Sequence, residues 1–133
     1  MPSKPAARVT IRKTALLSAL QGAKNMHPDE FIALFRGEHG SDGRLQLTEL
    51  IIPPFAQGDE DSSSYSPYFI PANSREKASF HSHPDPDTAY PSDEDSYYFS
   101  KESGIHFIAC WPFRLQDVAC FDAGGNELDF TVQ

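Results

Sequence analysis

The 133-residue chain is poor in cysteine, in long apolar runs and in positive charge. Its two thiols, Cys110 and Cys120, are too few and too widely spaced for a zinc knuckle or a disulfide framework. They lie in two short apolar runs, Ile105–Phe113 and Val118–Phe121, so they either face each other across two antiparallel strands or remain two buried thiols, the usual state in the cytosol. No window approaches the roughly 18 consecutive apolar residues of a membrane span. The opening Met1-Pro2-Ser3-Lys4-Pro5 lacks the apolar centre of a secretory signal, so a cytoplasmic location without a membrane partner is expected. With 19 acidic against 11 basic residues the net charge is −8, a field that repels a phosphate backbone and argues against nucleic acid as a partner. No glycine-rich loop follows a strand candidate, which leaves nucleotide binding without support.

What is present suffices for one packed core: 39% apolar and 12% aromatic residues, with no internal repeat and no linker-like shift in composition. Residues 1–8 read as a frayed tail and residues 9–133 as a single domain. From Ile11 to Met26 the spacing of Ala15, Leu16, Ala19, Leu20 and Ala23 predicts an amphipathic helix, which His27-Pro28 ends. Phe31–Phe35 reads as a buried strand closed by a Gly37–Gly43 loop, and Leu45–Ile52 as a second strand. Gln57–Ser66 is polar and aperiodic, a surface loop, and Tyr68–Ile70 is a short strand candidate. Lys77–His83 is a better strand, stopped by Pro84, and a helix opens at Pro91-Ser92-Asp93-Glu94-Asp95 and ends near Gly104. Ile105–Phe113, Val118–Phe121 and Leu128–Val132 are expected to close the chain as an antiparallel meander.

The chemistry concentrates in His81-Ser82-His83-Pro84 and Ser92-Asp93-Glu94-Asp95. Residues i and i+2 of a strand share a face, so His81 and His83 present two imidazoles to one point while Ser82 points away. After the loop Asp85–Pro91, Asp95 lies in the first turn of a helix and can fold back to add a carboxylate. Two imidazoles, a carboxylate and a water make a catalytic rather than a structural zinc site, with water acidified to about pKa 7. Plain alternatives stand beside this: a His-x-His pair is commonly a surface feature, and Ser-x-x-Asp is an ordinary helix cap. Hydrolysis also needs a carboxylate base, for which Asp29, Glu30 and Glu38 are equally eligible on sequence grounds. Asp85, Asp87, Asp93 and Glu94 read as solvated, His27, His39 and His106 as structural or exposed, and Tyr97, Tyr98 and Trp111 as core or groove wall.

The pattern Glu30 … His81-Ser82-His83-Pro84, seven residues, Ser92, two residues, Asp95 resembles the complete motif of the JAMM (MPN+) zinc metalloproteases. His27–Leu34 and Ile108–Pro112 also look like archaeal and bacterial single-domain members, and the likeness runs from about Arg12 to Val132. The resemblance implies an α+β fold, a single MPN domain like the cytidine-deaminase fold. Its mixed, mostly antiparallel sheet would be flanked by a long N-terminal helix and a second helix after the His-x-His-Pro loop. It implies one zinc ion per chain held by His81, His83 and Asp95, Glu30 as general acid/base, and Ser92 as donor to the oxyanion.

Family members with this motif cleave the amide bond after the Gly-Gly end of ubiquitin-like modifiers. A ubiquitin-like or sulfur-carrier protein is therefore the expected substrate, its tail adding to a strand edge in Gln57–Pro71. A monomer or weak homodimer is expected. The short Phe99–Phe121 stretch has no room for the insertion that linkage-selective relatives use. The alternatives are a non-catalytic MPN scaffold and a general metallopeptidase indifferent to the modifier.

Overall fold

A computed structural model describes residues 8–52, 76–101 and 104–133. The expectations for Gln57–Ser66, Tyr68–Ile70 and the substrate edge at Gln57–Pro71 lie outside the described residues. Helix α1 spans Lys13–Met26, and its buried residues are the five of the apolar stripe, Ala15, Leu16, Ala19, Leu20 and Ala23. It begins two residues later than expected because Val9–Ile11 form a strand, β1, buried throughout. Already at Arg8 the carbonyl accepts a hydrogen bond from Leu45 N at 2.7 Å, so the sheet starts where the tail was expected to end.

The other elements are β2 (Ile32–His39), β3 (Leu45–Ile51), β4 (Glu76–His83), α2 (Asp93–Lys101), β5 (Ile105–Cys110), β6 (Val118–Phe121), β7 (Glu127–Leu128) and β8 (Phe130–Val132). Among the described residues they form one mixed sheet in the order β7-β6-β5-β4-β2-β3-β1-β8. Strand β2 runs past the expected end at Phe35 because Gly37, Glu38 and His39 pair with Leu47, Gln46 and Leu45, which shortens the Gly37–Gly43 loop to a tight turn. The C-terminal meander is only partly as expected. β5, β6 and β7 are antiparallel neighbours, but the chain breaks at Asp129 and β8 leaves to pair in parallel with β1. Since β7 and β8 stand at opposite ends of the strand order and one residue joins them, the sheet must curl round on itself. Phe130 of β8 accordingly meets Phe107 of β5 edge to face, with ring centroids 5.3 Å apart.

The two faces of this sheet have different occupants. Phe35, Phe80, Phe107 and Ala109 pack with the α1 stripe into the main core, and Phe35 meets both Phe80 and Phe107 edge to face. The opposite face carries Ile108 and Phe121, a small second cluster, together with Ser79, His81, His83 and His106. Cys120 pairs with Phe107 and Cys110 with His83, so the two thiols are buried apart and free, and the facing arrangement is not adopted.

Gly37 sits where the β2–β3 register shifts. A Cβ there would lie 2.1 Å from the Gln46 carbonyl oxygen, a backbone atom that cannot move aside. Gly37→Ala is expected to lower stability by about 3 kcal/mol, as for a forced overpacking, read as a shift of the urea-unfolding midpoint at unchanged slope.

Candidate functional site

The antiparallel pairing of β2 and β4 sets Ile32 opposite His81, and the parallel pairing of β4 and β5 sets Ile108 beside it. Both isoleucines are fully buried, and His81 between them is 6% exposed. Burial therefore dominates its chemistry. It pushes the His81 pKa down to about 4, with the Asp95 charge pulling upward and His83 adding to the fall, so the ring is a neutral imidazole at pH 7.

His83 lies at the end of the same strand, on the same face, where β4 opens into the Pro84 loop. Its Nδ1 faces the Thr88 carbonyl oxygen at 2.7 Å and its Nε2 faces Asp95 Oδ2 at 2.9 Å. Burial opposes protonation, but the Asp95 hydrogen bond, the Thr88 carbonyl and the charges of Asp95 and Glu30 outweigh it, and the pKa is raised. Asp95 answers in kind. Burial would raise its pKa, yet the bonds from His83 and Ser92 N and the nearby imidazoles bring it to about 2.

Asp95 is where the helix cap places it. Ser92 N donates to Asp95 Oδ2 at 3.0 Å, and Asp95 N donates to Ser92 Oγ at 3.1 Å, a reciprocal cap at the start of α2. The structural reading of Ser-x-x-Asp is thus realised, and it aims the Asp95 carboxylate at His83. The cap uses Ser92 Oγ as acceptor, so the hydroxyl proton can still be donated.

Glu30, half-buried, precedes β2 and lines a cleft of about 300 Å³ with His83, Pro84, Asp85, Thr88, Tyr90, Ser92 and Glu94. Of the other two carboxylates that sequence left eligible, Glu38 lines a different cleft with Arg12 and Arg36. Asp29, half-buried, is bonded through its amide to the Met26 carbonyl in the turn after α1. Asp85, Asp87, Asp93 and Glu94 are exposed, as expected.

Glu30, His81, His83 and Asp95 therefore share one neighbourhood, near enough for His83 to feel Glu30 and for His81 to feel both His83 and Asp95. They do not all converge. His83 and Asp95 close directly on one another, and among the described residues no group of three His, Cys, Asp or Glu side chains is gathered as a metal cage.

The donor chemistry nevertheless fits a zinc ion. With Nδ1 committed as donor to Thr88, a neutral His83 points its Nε2 lone pair at a carboxylate oxygen, an arrangement that only a proton or a cation between the two can hold. His81, kept neutral by burial, is in the ligand state, and the three groups together offer two nitrogens and one anionic oxygen.

Further contacts surround these residues, and of them sequence offered only the structural-or-exposed reading of His27 and His106 and the core-or-groove-wall reading of Trp111. The Thr88 carbonyl fixes the His83 ring, and no side-chain type announces a carbonyl. His27 sets Nε2 3.1 Å from the Pro84 carbonyl oxygen and stacks on Trp111 at 4.1 Å, while Trp111 N donates to the His83 carbonyl at 3.1 Å. His106, fully buried, places Nδ1 2.6 Å from Ser79 Oγ on the face that carries His81, and burial lowers its pKa to about 4.

Known proteins resemble this chain in sequence and in fold. The Prok-JAB family, prokaryotic homologs of the JAB domain, matches residues 13–121. A Haloferax volcanii protein named a probable metalloprotease is 31% identical over 130 residues, which cover 93% of this chain and 79% of that protein. A JAB1/MPN-domain protein of Archaeoglobus fulgidus superposes with a TM-score of 0.71 at 31% identity, over 92% of this chain and 97% of that one. A structure described as a JAMM metalloprotease-like zinc site in the proteasome and signalosome gives 0.66 at 30% identity, over 94% and 97%. The solution structure of a Desulfitobacterium hafniense protein gives 0.70 at 20% identity, over 94% and 92%, a likeness of fold alone. The α+β MPN-type fold expected from the motif is the fold observed.

The shifted groups fix the acid response of the metal-free protein. His81 and His106 take a proton near pH 4 when folded but near 6.5 when unfolded, so the stability they lend is whole above 6.5 and is lost as pH falls toward 4. His83 acts in the opposite sense: its raised pKa stabilises below 6.5, and that contribution is lost as pH rises through the folded value. Two lowered histidines outweigh one raised, so urea unfolding is expected to show a loss on the order of a few kcal/mol between about pH 7 and about pH 4.5. In the same metal-free protein, Asp95→Asn removes the strongest upward influence on His83, and an NMR titration of its ring is expected to show a lowered pKa.

Proposed function

Because the chain belongs to the prokaryotic JAB-domain family, we propose that it is a zinc metalloprotease that hydrolyses the amide bond after the Gly-Gly end of a ubiquitin-like or sulfur-carrier protein. The observation that carries this reading is the single cleft that brings Glu30 and Ser92 to His83, with Asp95 bonded to that histidine. His81, His83 and Asp95 would hold one zinc ion per chain, and residues 9–133 would act as one catalytic domain. When bound, the metal supplies Lewis acidity, making water a nucleophile near neutral pH and polarising the scissile carbonyl.

The chain's own side chains do the rest. Glu30 takes a proton from the attacking water and returns it to the leaving amine nitrogen, so that the C–N bond breaks as the amine departs neutral. The Ser92 hydroxyl, with its acceptor side occupied by Asp95 N, keeps its proton for the carbonyl oxygen as negative charge develops there. Tyr90 and Pro84 line the cleft beside these groups. No helix among the described residues is long and apolar enough to cross a membrane.

The test is intact-mass spectrometry of a ubiquitin-like protein carrying an amide extension beyond its Gly-Gly end, incubated with wild-type protein, with Glu30→Gln, and with a zinc-chelated sample. A cut directly after the second glycine by the wild type alone, with Glu30→Gln slower by at least about 10²-fold, supports the reading. Equal cutting of unstructured peptides would replace it with a general metallopeptidase, and no cutting with zinc bound would favour a scaffold.

A further inference from the structure

We propose that Ser82 is the positioning residue for Glu30, acting through the main chain of Phe31; this rests on the reading of Glu30 as the base. Ser82 stands between the two histidines, and its side chain leaves β4 on the opposite face, toward α1. There its hydroxyl accepts a hydrogen bond from Phe31 N at 2.6 Å, while Ser82 N donates to the Phe31 carbonyl oxygen at 3.0 Å. Both main-chain polar groups of the residue next to Glu30 thus end on one residue of the strand that carries His81 and His83. The second of these bonds is an ordinary ladder bond. The first depends on a side chain and is removable by mutation.

The Phe31 ring is held independently. It meets Phe80 edge to face at 6.1 Å and lies against Gly22 of α1, where a Cβ would come within 2.6 Å of the ring Cζ and 2.7 Å of Cε2. Ser82 is 1% exposed and Phe31 6%, so neither bond competes with bulk water. With its backbone fixed by β4 and its ring fixed by α1, Phe31 has no latitude, and the α-carbon of Glu30 takes its place from it. The distance from base to histidines is then set across one peptide unit on each side of the Phe31–Ser82 pair, rather than through the long stretch of chain between residues 30 and 81. The Glu30 carboxylate is thereby presented from a fixed α-carbon, as a group that must meet a proton at a defined place requires.

The test compares wild type, Ser82→Ala, Ser82→Thr, Gly22→Ala and Glu30→Gln, each zinc-loaded and assayed on the extended Gly-Gly ubiquitin-like protein. Zinc affinity is measured in parallel by competition with a chromophoric chelator. Ser82→Ala and Gly22→Ala are expected to bind zinc as the wild type does and to lose about 10²-fold in kcat with KM changed by less than about threefold. Ser82→Thr, which keeps the hydroxyl, is expected to stay within about threefold of the wild-type rate.

In the zinc-free protein, the Phe31 amide of Ser82→Ala is expected to exchange with solvent at least about tenfold faster than in the wild type, a loss confined to that region. Placed in the Glu30→Gln background, Ser82→Ala is expected to cost nothing further. A wild-type kcat in Ser82→Ala, loss of zinc in step with loss of activity, or a full additional loss in the Glu30→Gln background overturns the proposal. Glu30→Gln at the wild-type rate overturns the base reading as well, whereas an inactive Glu30→Gln beside an active Ser82→Ala overturns the positioning role alone. Should Ser82→Ala fail to fold, Gly22→Ala carries the same comparison from the helix side of Phe31.

Discussion

The pairing of β2 with β4 is the contact on which the site depends. It sets Ile32 against His81 and thereby fixes where the chain just before β2, with Glu30, lies relative to the two histidines. A slip of one residue would turn His81 and His83 toward α1 and swing Phe80 out of the core. Such a slip is opposed on both faces at once. On one, Phe35, Phe80 and Phe107 interlock beneath the helix; on the other, Ile32 and Ile108 flank His81. The site's geometry is thus maintained by apolar packing that takes no part in its chemistry.

The same strand gives its two histidines opposite proton affinities. His81, two residues further into the sheet, is enclosed by isoleucines and made neutral; His83, at the mouth, is reached by the carboxylates of Asp95 and Glu30 and holds its proton more tightly. Asp95 reaches His83 because a helix cap must point somewhere. Ser92 and Asp95 satisfy each other's amides, and the carboxylate oxygen that accepts from Ser92 N is the one that meets His83 Nε2. A motif that looks like simple capping chemistry is also what directs charge at an imidazole.

How much of this could be read from the chain follows from the range of each interaction. The α1 stripe was legible to the residue, because helix periodicity is local. So was the shared face of His81 and His83, a consequence of strand alternation. Strand β1 was not legible, since its three residues pair with β3 and β8 and carry no period of their own. Nor was the break at Asp129, because the departure of β8 to the far edge is decided by the closure of the whole sheet. The choice of Glu30 over Asp29 and Glu38 came from the resemblance alone. In the fold, Glu30 and Glu38 line different clefts at the two ends of β2, a separation that exists only once β2 is paired.

Ser82 illustrates what alternation hides. Seen in sequence, a residue between two candidate ligands points away from them and is easily set aside. In the folded chain, pointing away means pointing into the core, and the core is where the neighbour of Glu30 is anchored. The three consecutive residues His81, Ser82 and His83 therefore address both sides of the sheet. The outer two present imidazoles on one face, and the middle one ties the rigid interior to the chain that bears the carboxylate. Phe31, bonded to Ser82 through both its amide and its carbonyl, thus joins the core to the chain that carries Glu30.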